Sequence, residues 1–224
     1  TDGTGVYWGT PTGLRRWTPD AGAALVVGDD FVEGVRLRPG GILWTVARQQ
    51  VNSSYVAQCA LPACPQRTFR VSARPHVFDA IEVGNTLYWF EADGSAQALV
   101  AQSGPVAAGQ QAPSWLVTDG KAVFWSATDA LRAYYPAASA SVVALVTTTS
   151  SVQRAWSLAL DGEMLYFLQE KSVKRCDVSK RTCAPEIVAE TMDTPSTRDA
   201  ALALDDRFVY WADRVGSVWR VRKP

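Results

Sequence analysis

The sequence predicts an all-β protein built from repeated antiparallel sheets, and three observations support this prediction. A pair of large apolar residues recurs six times along the chain. Strand-like runs separated by turns that contain Gly or Asp surround most of these pairs. Helix signals are nearly absent, since the one candidate, residues 126–140, is interrupted by Pro136 and lacks a sustained 3.6-residue period. The six pairs are Tyr7-Trp8, Leu43-Trp44, Tyr88-Trp89, Phe124-Trp125, Tyr166-Phe167 and Tyr210-Trp211.

The spacing of these pairs indicates the architecture. Their second members are 36, 45, 36, 42 and 44 residues apart. This interval fits one four-stranded blade of a β-propeller and is too long for a leucine-rich repeat. The sequence therefore predicts a six-bladed β-propeller, with about four antiparallel strands per blade, in a single domain over residues 1–224. We expect the first and last blades to be incomplete, because the first copy starts at the end of its innermost strand and the last stops after its third strand.

Each pair should lie on the second strand of its blade, after an inner strand and a tight turn. Asp119-Gly120 and Asp161-Gly162 are strong hairpin signals, because the central positions of such turns favour residues that tolerate positive φ. Since the inner strands show little alternation, we expect them to be buried on both faces. The predicted inner strands are residues 35–38, 80–83, 116–119, 158–161 and 202–205.

The cysteines predict two short-range disulfides and an oxidising compartment. Cys59 and Cys64 flank one turn-rich segment, and Cys176 and Cys183 flank another, so each pair can close a hairpin end. A zinc site would need paired Cys-x-x-Cys spacing or histidine partners, whereas His76 is the chain's one histidine. We therefore expect an extracytoplasmic protein, either secreted, periplasmic or on a cell surface.

Charge and hydropathy exclude two classes of partner at the level of the whole chain. The 22 basic and 22 acidic side chains cancel, so no overall charge favours nucleic acid or an anionic membrane. No apolar run reaches the roughly 20 residues that a transmembrane helix needs. We expect no nucleic-acid partner and no transmembrane segment.

The repeats resemble the six-bladed propellers of the NHL and YWTD type. Tyr210-Trp211-Ala212-Asp213 departs from Tyr-Trp-Thr-Asp at one residue, and Leu202-Ala203-Leu204-Asp205 is similar to that family's inner-strand ending. Other copies are weaker, since Phe124-Trp125-Ser126-Ala127 has no acidic residue. The resemblance implies a bacterial extracytoplasmic propeller with a general binding role, and it transfers no catalytic residue.

Enzymes on related propellers need constellations that are not evident here. Lyases of this shape rely on several histidines around a metal, and calcium-dependent lactonases need converging carboxylate and amide oxygens. The inner strands offer Glu82 and little else. A His76–Asp79 dyad is conceivable, but an ordinary loop histidine is the preferred interpretation. We predict no cofactor and no catalytic or metal-binding residue.

The predicted ligand-binding face carries the loops that enter the inner strands. Trp115 and Trp156 stand in adjacent columns just ahead of successive inner strands, where the family pattern has a small residue such as Ala200 or Ala201. With Arg154 nearby, they could stack on a sugar ring or anchor a partner protein. The alternative is that both tryptophans plug the mouth of the central channel. The candidate ligand-binding residues are Trp115, Trp156, Arg154, Arg198, Asp79 and His76.

From these features we predict a non-enzymatic extracytoplasmic propeller. It would serve as a binding or scaffolding module for a protein or for a cell-surface polymer such as a glycan. The first alternative is a metal-dependent hydrolase or lyase at the channel mouth, using residues around Glu82, Asp79 and His76. The second is a structural ring within a larger assembly or a longer chain.

Overall fold

A computed structural model of the 224-residue chain divides it into two compact units, Thr1–Gln110 and Gln111–Pro224. The structure describes residues 5–28, 31–47, 54–61, 64, 68–71, 76–93, 96–138, 141–148, 154–190, 201–212 and 217–224, with the backbone alone for residues 68–71 and 96. All regular elements in these ranges are β-strands, as the sequence predicts.

The first unit contains three antiparallel sheets in which consecutive strands are neighbours. The first sheet has three described strands, and the other two have four each. Their strands are β1 Val6–Thr10, β2 Gly13–Thr18, β3 Gly22–Gly28; β4 Val32–Arg38, β5 Gly41–Val46, β6 Tyr55–Ala60, β7 Thr68–Val71; and β8 His76–Val83, β9 Thr86–Asp93, β10 Ala96–Ala101, β11 Gly104–Ala107.

The second unit has the same pattern, with three antiparallel sheets of four, four and three described strands. Their strands are β12 Ser114–Thr118, β13 Val123–Ser126, β14 Ala130–Tyr134, β15 Val142–Thr147; β16 Ala155–Asp161, β17 Met164–Gln169, β18 Ser172–Asp177, β19 Glu186–Glu190; and β20 Leu202–Leu204, β21 Phe208–Ala212, β22 Val218–Arg222. The described residues thus form six sheets, and the first and last have three strands each.

The predicted hairpins are present at both Asp-Gly turns. Gly120 has φ of 84° and Gly162 has φ of 57°, in the left-handed region that glycine adopts without steric cost. The Asp119 carboxylate accepts hydrogen bonds from the backbone N–H groups of Lys121 and Ala122, at 2.8 and 2.7 Å. This side chain closes the turn between β12 and β13, as short acidic residues often do.

The recurring pairs lie on strands that supply much of the core between neighbouring sheets. Trp44, on β5, packs with Leu14 of the first sheet. Phe124, on β13, shares a cluster with Phe167 on β17. Burying side chains of this size stabilises a fold by roughly 1.5–3 kcal/mol each. The apolar pairs on the second strands therefore make a large contribution to the stability of the fold.

The prediction that the inner strands are buried on both faces holds for β8, where Ala80, Ile81 and Val83 are buried, and fails for other inner strands. Strands β4, β12 and β20 are mostly half-buried, whereas β5 and β13 are buried along their whole length. An inner strand is an edge strand with one hydrogen-bonded neighbour, so its burial depends on what the neighbouring sheet places against it. The second strand has neighbours on both sides.

Both predicted disulfides are present. Cys59 pairs with Cys64, with Cα atoms 5.1 Å apart, and Cys176 pairs with Cys183, with Cα atoms 5.3 Å apart. The second bond closes the loop between β18 and β19, and this loop contacts the neighbouring sheet through Tyr135. The Tyr135 hydroxyl donates to the carbonyl oxygen of Val178 at 3.3 Å, and the Arg181 guanidinium carbon lies 4.9 Å from the Tyr135 ring centroid.

Within the described ranges, no helix has the length and apolarity that crossing a bilayer requires.

Candidate functional site

Trp115 and Trp156 come together at the start of two neighbouring inner strands. Trp115 is on β12 and Trp156 is on β16. Their ring centroids are 5.7 Å apart and the ring planes meet at 81°, an edge-to-face arrangement that the aromatic quadrupoles favour. Both side chains are half-buried. The two indoles therefore form a right-angled aromatic corner, which we call the Trp115–Trp156 corner.

Arg154 lies against both rings. Its guanidinium carbon is 5.0 Å from the centroid of Trp156 and 5.8 Å from that of Trp115, within the range of cation–π attraction. The residue is 9% exposed. Since a guanidinium buried to this extent must have its N–H groups hydrogen-bonded, its partners decide where the side chain points.

The hydrogen bonds of Arg154 run toward the backbone and hydroxyl groups of the neighbouring sheet. Nη2 donates to the carbonyl oxygen of Ala112 and to Oγ of Ser114, and Nε donates to Oγ of Ser126 at 3.4 Å. The Ser126 hydroxyl in turn donates to the carbonyl oxygen of Ala155. Arg154 therefore fixes the two tryptophans in position and joins the entry segments of β12 and β16.

The backbone is unusual at the same place. Trp115 has φ of 52° and Ser157 has φ of 51°, in the left-handed region that costs a residue with a Cβ about 1–2 kcal/mol. Each lies at an irregularity in strand pairing, between Ser114 and Val117 in β12 and between Trp156 and Leu158 in β16. Such bulges redirect side chains and are common beside functional sites.

The bulge recurs in four of the sheets, and the side chains it directs differ. Irregularities near the start of β4 and β8 correspond to those in β12 and β16. Aligned on the recurring pairs, the position of Trp115 corresponds to Gly34, Asp79 and Ser157 in the other three of these strands, and to Ala201 just before β20, where the described pairing is regular. Trp115, which the sequence analysis singled out as a large residue at this position, thus lies at the bulge of β12.

The two remaining described site residues, Asp79 and His76, lie on β8 in the first unit. The Asp79 carboxylate accepts two hydrogen bonds from Arg36 on β4, from Nε at 3.0 Å and from Nη2 at 2.7 Å. Two residues further along β4, Nη1 of Arg38 donates to Glu82 at 2.6 Å. These pairs tie the inner strands of neighbouring sheets together.

His76 has a different acidic neighbour from the one considered in the sequence analysis. Its Nε2 is 3.5 Å from a carboxylate oxygen of Glu33, and its ring stacks on Phe78 with centroids 5.5 Å apart. Asp79 is held by Arg36. The structure thus places the two members of the conceivable dyad against separate partners.

No group of three or more His, Cys, Asp or Glu side chains that could hold a metal ion occurs among the described residues. Of the candidate site residues, Trp115, Trp156 and Arg154 are brought together, and His76 and Asp79 lie on one strand. Arg198 lies outside the described residues.

Sequence reasoning missed the partners that hold these residues. Ser114 and Ser126 bind Arg154, and Arg36 and Arg38 bind carboxylates on β8. Arg36 and Arg38 alternate along a predicted inner strand, which was a usable signal. Their acceptors do not fall at the equivalent positions of the next repeat, so pairing them requires the actual stagger between the two strands.

Comparisons with known proteins bear on the fold. No protein-family model and no curated protein matches the chain. Among solved structures, a chain from a nidogen/laminin complex is similar with a TM-score of 0.69 at 11% identity, over 97% of this chain and 89% of that one. The fold is β-propeller-like.

Two further structures are similar to this propeller-like chain. The extracellular domain of a hybrid two-component system from B. thetaiotaomicron has a TM-score of 0.69 at 14% identity, over 100% of this chain and 32% of that one. Hydrazine synthase from Kuenenia stuttgartiensis also has a TM-score of 0.69 at 14% identity, over 99% of this chain and 81% of that one. At these identities the similarity concerns the fold alone.

Proposed function

We propose that the chain is a non-enzymatic extracytoplasmic module that binds a protein or a cell-surface polymer through the Trp115–Trp156 corner. The observation that carries this proposal is the corner itself: two half-buried indoles held by a buried arginine at a strained bulge. Aromatic side chains positioned in this way supply large contact areas at low entropic cost.

An extracytoplasmic location is supported by the chemistry of the chain. Both cysteine pairs are oxidised, and such bonds persist in oxidising compartments. A similar solved structure is an extracellular domain, by its own description.

We further propose that the six sheets are six blades of the NHL and YWTD type, and that residues 1–224 form one domain. The support is the correspondence between six recurring pairs and six described sheets. A single-domain protein should unfold in one calorimetric transition whose calorimetric and van't Hoff enthalpies agree. Two separate transitions would contradict the single domain.

The alternative of a metal-dependent hydrolase or lyase gains no support from the described residues. Two of the carboxylates that it would use, Asp79 and Glu82, are held by Arg36 and Arg38 at 2.7 and 2.6 Å. Each arginine would have to be displaced before its partner could ligate a metal.

The proposed function can be tested with a double variant, Trp115→Gly/Trp156→Ala, on arrays of glycans and extracellular proteins. The matched control is Trp17→Ala, which removes a 43% exposed tryptophan from β2. We expect at least one wild-type signal to persist in the control and to disappear in the double variant. If every signal survives in the double variant, or none exists for the wild-type chain, the corner is not a binding site.

A further inference from the structure

We infer that the ligand of the Trp115–Trp156 corner is an uncharged saccharide, bound by stacking of a pyranose ring on an indole. This inference rests on the proposed function and narrows it to one ligand class. It follows from three features of the described residues: the use of the Arg154 hydrogen bonds, the lack of an outward charge on the rim, and the angle between the rings.

Arg154 is committed to the protein interior. Its Nη2 and Nε donate to Ala112, Ser114 and Ser126, and only 9% of the residue is exposed. An anionic ligand that needed a direct guanidinium contact would have to break these bonds. The role of Arg154 is therefore to position the rings, and the ligand meets the indoles.

The described rim next to Trp115 presents little charge. The exposed residues here are Gln111 and Ala112, and the carbonyl oxygen of Gln111 accepts the N–H of Thr128 at 2.9 Å. The acidic side chain next to Thr128, Asp129 in the loop between β13 and β14, is paired with Arg132 at 2.7 Å. Among the described residues of this rim, recognition by ion pairs, which typifies acidic polymers and charged protein interfaces, has little to act on.

The right angle between the rings suits a pyranose. One face of each indole is turned toward Arg154, Trp115 and Trp156 pack against hydrophobic clusters of their sheets, and both stay half-buried, so part of each ring remains exposed to a ligand. The C–H groups on one side of a sugar ring carry partial positive charge and pack on the negative face of an aromatic ring. At 81° the second indole borders such a ring at its edge, and this fixes the orientation of the sugar.

The probes for this inference are four neutral polysaccharides, namely mixed-linkage β-glucan, xylan, mannan and dextran, with polygalacturonate as the anionic comparison. Affinity electrophoresis of the whole chain identifies which of them retards it. Calorimetry with the matching hexasaccharide then gives the dissociation constant. We expect at least one neutral polymer to bind, with less than about a twofold change between 0.05 and 0.5 M NaCl, because stacking is not screened by salt.

The variants separate stacking from other contacts. Trp156→Ala and Trp115→Gly should each weaken binding about tenfold or more, the usual effect of removing a stacked aromatic side chain. Trp156→Phe, which keeps an aromatic face, should recover part of the loss. Trp17→Ala should bind as the wild-type chain does, and circular dichroism of every variant establishes that it is folded.

Three outcomes would overturn the inference. The first is retardation by none of the neutral polymers, and the second is retardation by polygalacturonate alone with release at 0.5 M NaCl. The third is unchanged affinity in Trp156→Ala and Trp115→Gly. If an extracellular protein bound through the tryptophans while all saccharides failed, the proposed function would stand and the saccharide inference would fall.

Discussion

The guanidinium of Arg36 forms two hydrogen bonds with the carboxylate of Asp79, at 3.0 and 2.7 Å, between the inner strands of neighbouring sheets. The side chains are 30% and 16% exposed, so the pair is partly shielded from water. This fork-like geometry is the strongest form of the arginine–carboxylate contact. It gives Asp79, one of the ligand-binding candidates, a structural contact with the neighbouring sheet.

A double-mutant cycle on Arg36→Ala and Asp79→Ala should therefore give a favourable coupling of about 1 kcal/mol in urea unfolding. The comparison is the cycle on Arg175 and Glu186, which are also hydrogen-bonded although Glu186 is 66% exposed. An exposed pair is typically worth roughly 0.2–1 kcal/mol, so we expect it at the low end. Equal coupling energies in the two cycles would contradict the role assigned to partial burial.

Replacing Trp115 by glycine and by alanine should give different stabilities although both remove the indole. With φ of 52°, alanine retains the steric conflict of the left-handed region and glycine does not. We expect Trp115→Gly to be more stable than Trp115→Ala by about 1 kcal/mol in denaturant unfolding. At Trp156, where no left-handed φ is observed, the order should reverse, with alanine the more stable.

Arg154→Lys should destabilise the chain by about 2 kcal/mol, because one ammonium cannot replace a planar fork that bonds Ala112, Ser114 and Ser126. Urea unfolding measures the loss. Arg181→Lys is the matched control: this arginine is exposed and stacks on Tyr135, so its replacement should change stability by less than about 0.5 kcal/mol. Similar effects at both positions would show that the buried network is not what makes Arg154 important.

Removing the second disulfide with Cys176→Ser/Cys183→Ser should lower the free energy of unfolding by about 2–3 kcal/mol, the value expected for so short a loop. The loop also carries the Val178 carbonyl and the Arg181 guanidinium that contact Tyr135, so the fluorescence or NMR signals of this ring should change. Cys59→Ser/Cys64→Ser serves for comparison, because it should cause a similar loss without affecting Tyr135. An unchanged unfolding midpoint would contradict the prediction.

Protonation of Asp205 should contribute to the loss of folding stability at acidic pH. The Tyr210 hydroxyl donates to its carboxylate at 2.6 Å, and this bond, with the backbone N–H of Arg207, holds the pKa of Asp205 below the ordinary 3.8. Because the folded value is the lower one, the contribution is present above the ordinary pKa and is lost as pH falls through the lowered value. Tyr210→Phe should raise the Asp205 pKa in an NMR titration. Tyr135→Phe should leave it unchanged, since that hydroxyl donates to Val178.

Much of the fold could be predicted because its signals are local. A strand such as β17 is specified by its own apolar run, and the turn before it by Asp161-Gly162, so neither needs knowledge of distant contacts. The Cys176–Cys183 bond is equally local, with seven residues of separation. The burial of the inner strands was predicted correctly for β8 and wrongly for β4, β12 and β20, because burial depends on what packs against a strand, and alternation alone does not report this.

Part of the candidate site could also be predicted from the sequence, and part could not. Trp115 and Trp156 were recognisable as large residues at positions where the last repeat has Ala201 and Ala200. Their contact, its angle and the burial of Arg154 were not, because they depend on bulges in β12 and β16 that no residue pattern announces.

The sequence by itself determined the all-β class, the recurring strand pattern and the two disulfides, because each follows from residues close together in the chain. Only the tertiary structure decided that Arg154 lies within cation–π distance of both indoles and that Arg36 holds Asp79. Arg154 and Trp115 are 39 positions apart in the sequence, and Arg36 and Asp79 are 43 apart. In both cases the stagger and the bulges of two neighbouring sheets set the distance. Such contacts are fixed by how sheets pack, which is a property of the folded chain.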